Sequence, residues 1–404
     1  MQYLGLHSQT AVKRGGPLAR LPRAVVALGF VSLFMDVSSE MVHALLPVYL
    51  TGTLGATAAM VGLIEGLGQG TAQITKMFSG LLSDWTGRRK PLAVLGYGLS
   101  AVTKPIFALA GSVDAILFAR VADRFGKGIR GTPRDAMLAD MVPPEARSAA
   151  YGLRQSMDSF GAFAGPLLAM GLMLWAGASI PQVFAFAIVP GAIAVAVLIF
   201  AVREPEMKDA KPGTWPLTLT GMRRLKPGLL AAIGIATLMT MARISDAFLI
   251  LRASDAGLAI WALPLVLVVL NAVDTVTSWP VGMLADKIGK RGLLLAGFGV
   301  LALANLVMGL SGSLTAVFIG AALWGLHMGL TQGLLAAMVA DAAPPDLRGT
   351  AFGLYNLATG AALIFGNGLA GLAWTGIGPG ATFLFAGGLA ALATVLGLMR
   401  RKDG

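Results

Sequence analysis

Asp36, Glu40 and His43 recur at i, i+4 and i+7 inside an apolar stretch, so they share one face of a single helix. Two neighbouring carboxylates in a low-dielectric setting cannot both ionise cheaply, so one of them is expected to hold a proton. That is the chemistry of a proton carrier; the bland alternative is that these acids pair with bases on other helices. Glu65, Gln69, Gln73 and Lys76 share a face of the next segment. Further on, Arg120, Arg124, Lys127 and Arg134 fall within a narrow arc at about 100° per residue. Asp123, Arg130 and Asp135 flank that arc, and the following segment adds Arg154, Gln155 and Asp158. Such a face is too costly to turn toward lipid, so it is expected to line a wet cavity or to pair with the acids. Gly131, Thr132 and Pro133 are expected to break or kink the helix that carries it.

The second half of the chain is plainer. Arg243 and Asp246 would lie one turn apart and pair. Asn271 and Asp274 fall in the 257–284 stretch, His327 and Gln332 in 314–340, and Tyr355 and Asn356 in 348–375. Among the buried ionisable residues of the first half there are six acids and eight bases, which slightly favours an anionic substrate.

These residues need elements to hold them. The 404 residues are 56% hydrophobic and only 13% charged, with a mean hydropathy of +0.75. Soluble domains carry about a quarter charged residues, so lipid is the natural solvent here. Twelve apolar segments, each near the ~20 residues needed to cross a bilayer, run over 24–50, 58–82, 91–110, 113–141, 149–176, 182–202, 228–251, 257–284, 292–310, 314–340, 348–375 and 381–399. The 53 glycines suit close helix contacts in a membrane. The N-terminal apolar run is read as a retained first helix rather than a cleaved signal, because it is too long and is polar in its middle.

Lys and Arg set the orientation. They cluster before residue 24, at Arg88, Arg89 and Lys90, in the 203–227 stretch, at Lys287, Lys290 and Arg291, and in the tail. All of these fall on one side if the segments alternate, so both termini are expected in the cytoplasm of a cell with the chain in its inner membrane. The expected division is an N-terminal segment 1–23, a six-helix bundle 24–202, a linker 203–227, a second six-helix bundle 228–399 and a tail 400–404.

The two halves repeat. Gly80, Leu82, Asp84, Gly87, Arg88 and Arg89 recur as Gly282, Leu284, Asp286, Gly289, Lys290 and Arg291. Asp140, Pro143, Pro144 and Arg147 recur as Asp341, Pro344, Pro345 and Arg348. Both offsets are about 202 residues, which reports one duplication. The first of these motifs resembles the loop between helices 2 and 3 of the major facilitator superfamily. That resemblance implies an all-α membrane protein of about twelve transmembrane helices in two pseudo-symmetric six-helix bundles. It also implies that Asp84, Arg88, Arg89, Asp286, Lys290 and Arg291 latch one conformational state. Gly161, Gly165 and Pro166 resemble the Gly-x-x-x-Gly-Pro motif of the antiporter branches, although Ala169 and Met170 stand where a later glycine pair is expected. Arg124 and Gly128 resemble the family's Arg-x-x-x-Gly motif linked to proton transfer.

The leading expectation is a proton-coupled exporter, an antiporter working by alternating access on a small and anionic molecule. Asp36, Glu40 and Arg124 would couple protons. His43, Glu65, Gln69, Arg120, Lys127, Arg154, Asp158, Arg243, Asp246, Asn271, His327 and Gln332 would meet substrate between the halves. The alternative is a transporter of a divalent transition metal, on Asp36, Glu40, His43 and His327, or of an anionic metal chelate. The chain has no cysteine and three histidines, and no catalytic motif stands out, so no enzyme activity, bound metal or cofactor is expected. The net charge of +11 is attributed to topology rather than nucleic acid. The expected partners are substrate, protons and lipid, with the chain a monomer.

Overall fold

The computed structural model describes residues 21–86, 88–143, 146–204, 223–225, 227–343 and 347–399. Most of the N-terminal segment, most of the linker and the whole tail expected from sequence lie outside the described residues. So do the side chains of Asp84, Asp286 and Gln332.

Every expected segment is a helix, and the described residues contain no strand. In chain order they are α1 (Arg23–Thr53), α2 (Ala58–Thr86), α3 (Arg89–Leu109), α4 (Val113–Asp140), α5 (Arg147–Ala176) and α6 (Ile180–Ala201). The second set is α7 (Pro227–Asp255), α8 (Leu265–Ile288), α9 (Lys290–Leu310), α10 (Leu314–Ala342), α11 (Arg348–Gly376) and α12 (Pro379–Met399). Ten of them contain a stretch long and apolar enough to cross a membrane. The two exceptions are α2 and α4, the helices loaded with Glu65, Gln69, Lys76 and the basic stripe.

Local chemistry sets the helix ends. Ser112 and Ser313 cap α4 and α10, each hydroxyl accepting from the backbone N–H three residues on, of Ala115 and Ala316. Left-handed turns at Gly55 (φ +68°) and Gly257 (φ +85°) follow the first helix of each half, where a side chain would be strained. These pairs repeat the offset of about 202 seen in the loops. The packing repeats too: α1 on α5 and α6, α2 on α4, and α3 on α4 and α6 are mirrored by α7 on α11 and α12, α8 on α10, and α9 on α10 and α12. The fold is therefore two related six-helix bundles.

Two expectations about helix continuity are corrected. Pro133 does not break α4, which runs unbroken to Asp140 with Pro133 buried inside it. By contrast α1 and α7 are both interrupted. α1 breaks after His43 and ends in a π-turn over Tyr49–Thr53, and α7 opens between Ala242 and Ala247.

The halves join mainly through α2 against α11 and α5 against α8. Along α2 and α11 the contact is nearly backbone to backbone. A Cβ on Gly70 would lie 2.8 Å from the Gly360 carbonyl oxygen, and one on Gly371 would lie 2.6 Å from that of Ala58. Small residues permit such an approach in lipid, where packing replaces the hydrophobic drive. At the end away from the Lys/Arg-rich loops, one apolar cluster spans both halves through Tyr49, Leu50, Phe184, Phe248 and Leu249. Nearer the basic loops, separate clusters form around Tyr97 and Met137 in the first half and around Leu229 and Val339 in the second. The bundles thus converge at the far end and part toward the basic end.

Candidate functional site

The interruptions in α1 and α7 place polar side chains at the point of convergence. Nε2 of His43 lies 2.8 Å from Oδ1 of Asp246, joining the halves. The other ring nitrogen, Nδ1, is 2.8 Å from Nη2 of Arg120 on α4. The same Nη2 donates to Oε2 of Glu65 on α2 at 2.6 Å. Gln69 donates to Glu65 at 3.3 Å and to the Ser245 hydroxyl at 3.1 Å, and Ser245 in turn donates to Glu65 at 3.2 Å. Asn367 on α11 accepts from the Ser245 backbone N–H at 2.6 Å. Glu65 and Arg120 are each about 1% exposed. This network of α1, α2, α4, α7 and α11 forms a polar roof over the space between the bundles.

Five expected substrate contacts, His43, Glu65, Gln69, Arg120 and Asp246, are therefore brought together, but largely satisfied by one another. The expected Arg243–Asp246 pair does not form. The break in α7 turns Asp246 toward His43, and no ion pair or hydrogen bond joins it to Arg243. Arg243 is half-buried, with Asp246, Asp274 and Tyr355 as its electrostatic neighbours. Ser245 and Asn367 belong to the roof although neither was singled out from sequence. The signal was present: an asparagine deep in an apolar segment needs a partner.

Asp36 and Glu40 occupy the wall below the roof, toward the basic end. Both are half-buried, and among the described residues neither makes an ion pair within 4 Å or a side-chain hydrogen bond. Lys127, half-buried and without a side-chain hydrogen bond, is an electrostatic neighbour of both, and Arg124 feels Glu40 as well as Glu65. The Gly161–Gly165 motif of α5 is what lets α5 press against this wall. A Cβ on Gly161 would come 3.0 Å from that of Asp36, and one on Gly165 would come 2.8 Å from that of Glu40. Pro166 is accommodated within a continuous α5.

The remaining charge is more structural. Lys104 meets Asp123 at 3.0 Å, both almost fully buried, and Arg130 stacks on the Tyr97 ring at 4.6 Å. Arg154 pairs with Asp158 one turn on, and reaches Asp135 at 3.6 Å. Arg134 bonds Asp135 at 2.9 Å and Ser32 at 3.0 Å. Arg154 and Asp158, expected to meet substrate, are thus partnered on α5. His327 is also placed differently from expectation. It is buried inside the second bundle with Nδ1 2.9 Å from the Gly297 carbonyl. Asn271 instead ties the halves, donating to the Ala162 carbonyl at 3.2 Å.

The basic loops divide likewise. Arg88 is exposed, whereas Arg89 pairs with Asp140 and donates to the Ala136 carbonyl at 2.8 Å. The backbone N–H groups of Arg89 and Lys90 both bond Glu204. Arg291 bonds the Gly397 carbonyl at 2.9 Å. Each of these contacts of Arg89 stays within the first half, so it braces α3, α4 and the end of α6 there.

The metal reading does not assemble. Both nitrogens of His43 are occupied, His327 lies elsewhere, and no group of three His, Asp or Glu side chains among the described residues is positioned to hold a metal ion.

Two related bundles converge on a polar roof with a charged wall beneath it, and ten of their helices are long and apolar enough to cross a membrane. The family model described as Major Facilitator Superfamily matches residues 28–273 and 228–403. The chain belongs to that superfamily and is a transporter of its kind. It is 31% identical over 363 residues to an uncharacterized MFS-type transporter of Methanocaldococcus jannaschii, covering 88% of this chain and 89% of that one. It is 29% identical over 207 residues to the multidrug resistance protein MdtH of Photorhabdus laumondii, covering 48% of this chain and 51% of the relative. Among solved structures it resembles a POT family transporter in complex with 5-aminolevulinic acid, with a TM-score of 0.79 at 14% identity over 93% of this chain and 96% of that one. That last likeness is one of fold.

Proposed function

We propose that this protein is a proton-coupled exporter that exchanges a small molecule for protons, with Asp36 and Glu40 as the proton sites. The observation carrying this reading is the pair itself: two half-buried carboxylates on the cleft wall, without ion-pair partners, one turn apart. Ionisable groups at membrane depth that are not tied up structurally are functional candidates by default. The MdtH relatives favour export.

Exchange requires that proton and substrate exclude each other. The substrate therefore presents a cationic or hydrogen-bond-donating group to Asp36 and Glu40. The excess of bases in the first half favours an anionic group elsewhere on the molecule, met by Lys127 from one bundle and Arg243 from the other. The cleft opens toward the side bearing the basic loops. By the positive-inside rule that side is the cytoplasm, with the chain in the inner membrane and acting as a monomer. Residues 24–202 and 228–399 then act as two rocking bodies.

Proteoliposomes loaded with a pH-sensitive dye and challenged with a panel of drugs and organic anions test this. A transported compound moves protons the opposite way in the wild type, and Asp36→Asn and Glu40→Gln abolish that movement. Flux that ignores the pH gradient and is unchanged in both variants overturns the reading.

A further inference from the structure

His43 joins the roof through both ring nitrogens, and its two partners fix where its proton sits. Nη2 of Arg120 lies 2.8 Å from Nδ1. A guanidinium has only donors, so Nδ1 must accept and carries no hydrogen. Oδ1 of Asp246 lies 2.8 Å from Nε2, and an ionised carboxylate only accepts, so Nε2 holds the proton. The ring in this state is the neutral Nε2–H tautomer.

A second proton has no place in this arrangement. On Nδ1 it would set one N–H donor against another and bring two cations into contact with no acceptor between them. His43 is 4% exposed and Arg120 1%, so little water is available to screen the repulsion. The charged groups bearing on the ring are Asp246 from α7, Arg120 from α4 and Glu65 from α2. Of the other helices packed on α1, α6 carries no ionisable side chain, Lys104 of α3 is committed to Asp123, and Arg154 and Asp158 of α5 to each other. Asp246 favours an imidazolium, but it acts at Nε2 and leaves the conflict at Nδ1 in place.

The same corner holds an unused acceptor. Oε2 of Glu65 accepts from Arg120, Gln69 and Ser245, while Oε1 is buried without a hydrogen bond. Nδ1 of His43 and Oε2 of Glu65 both bond the same Arg120 nitrogen, so the ring and the carboxylate are close neighbours.

We infer that His43 is a third proton-binding site, filled when the roof is parted and emptied by Arg120 when it closes. In the state open at the far end, Asp246 withdraws with the second bundle, Arg120 leaves Nδ1, and Nδ1 takes a proton from that side and donates it to the free oxygen of Glu65. Closure returns Arg120 to Nδ1 and expels the proton toward Glu40, which shares this face of α1. Only a proton is bound and released. The direction of its flow rests on the proton-exchange reading, whereas its exclusion from the closed roof does not.

With three histidines in the chain, 15N NMR of histidine-labelled protein in liposomes tests this. The His43 resonances are assigned by their loss in His43→Gln, or by elimination with His7→Gln and His327→Gln. At about pH 8 they should show Nε2 protonated and Nδ1 bare, and near pH 5 a second population should carry protons on both nitrogens. Spin labels at Thr57→Cys and Ala259→Cys should show the far-open population rising severalfold over the same range. The rise should persist in an Asp36→Asn/Glu40→Gln background, which lacks both carboxylates of the exchange reading, so either idea can fail without the other. His43→Gln keeps a donor and an acceptor but takes no second proton, and should flatten the response. A ring that stays singly protonated down to about pH 5 overturns the proposal. So does a second proton gained with no change in the distances, or a pH response that survives His43→Gln. The resonances are read on the unsubstituted roof, so a poorly folding variant does not spare the proposal.

Discussion

His43 on α1 and Asp246 on α7 meet at 2.8 Å at matching places in the two halves, each beside the interruption of its helix. Their positions differ by 203 residues, close to the repeat that relates the bundles. The contact therefore lies close to the pseudo-symmetry axis and must separate if the bundles part at the far end.

Asp246→Asn removes the charge from that tie while keeping its shape. A hydrogen bond to a charged group contributes about 1.5–3 kcal/mol, so the balance should move roughly tenfold or more toward the state open at the far end. Spin labels at Thr57→Cys and Ala259→Cys, both exposed near that end, should report a longer distance population. An unchanged distribution would remove the tie from the gating equilibrium.

Arg120→Met strands Glu65, which is about 1% exposed, without its guanidinium. Breaking one side of a buried ion pair costs about 3–5 kcal/mol, whereas replacing both partners by neutral groups of similar volume is often close to neutral. Thermal unfolding in detergent should therefore fall steeply for Arg120→Met and recover much of the loss in the Glu65→Gln/Arg120→Met double variant. Equal losses in the two would mean that packing, not charge, holds this corner.

Gly165→Val places branched carbon where a Cβ alone would come 2.8 Å from that of Glu40. Overpacking of this kind costs about 1–3 kcal/mol, and here it also displaces a proposed proton site. The melting temperature and proton-coupled flux should both drop. Gly152→Ala meets nothing within 4 Å and should alter neither.

Arg243→Ala and Arg252→Ala are expected to diverge. Arg252 bonds Asp255 at 2.9 Å and the Met308 carbonyl at 3.2 Å, so its loss should lower the melting temperature. Arg243 is half-buried without a side-chain hydrogen bond and is proposed to meet substrate, so its loss should spare stability and weaken substrate-dependent proton movement. A melting temperature that falls as far for Arg243→Ala would make it a structural residue instead.

Helix number, the duplication and the crowding of charge into α1, α2, α4 and α5 were legible in the sequence, because hydropathy and spacing are local properties. Pairing was not. The Arg243–Asp246 expectation assumed an unbroken helix, and a short non-helical stretch turned Asp246 to a partner about two hundred residues away. Pro133 does not end its helix: it is buried inside a continuous α4. Gly62, Gly66 and Gly70 lie against the α11 backbone at Asn367, Ile364 and Gly360, and nothing local in the sequence says that they meet α11 rather than a helix of their own bundle.

The α2–α11 seam acts as a bearing. Where Gly70 meets Gly360 and Gly371 meets Ala58 the backbones touch, and the side chains to re-seat along this stretch are few, Ile74 and Ile364 against the glycines and Gln73 against Asn356. One bundle can swivel on the other along this line with limited rotamer rearrangement. The barrier to swinging open at the far end then resides in the charged roof and in the apolar cluster beside it.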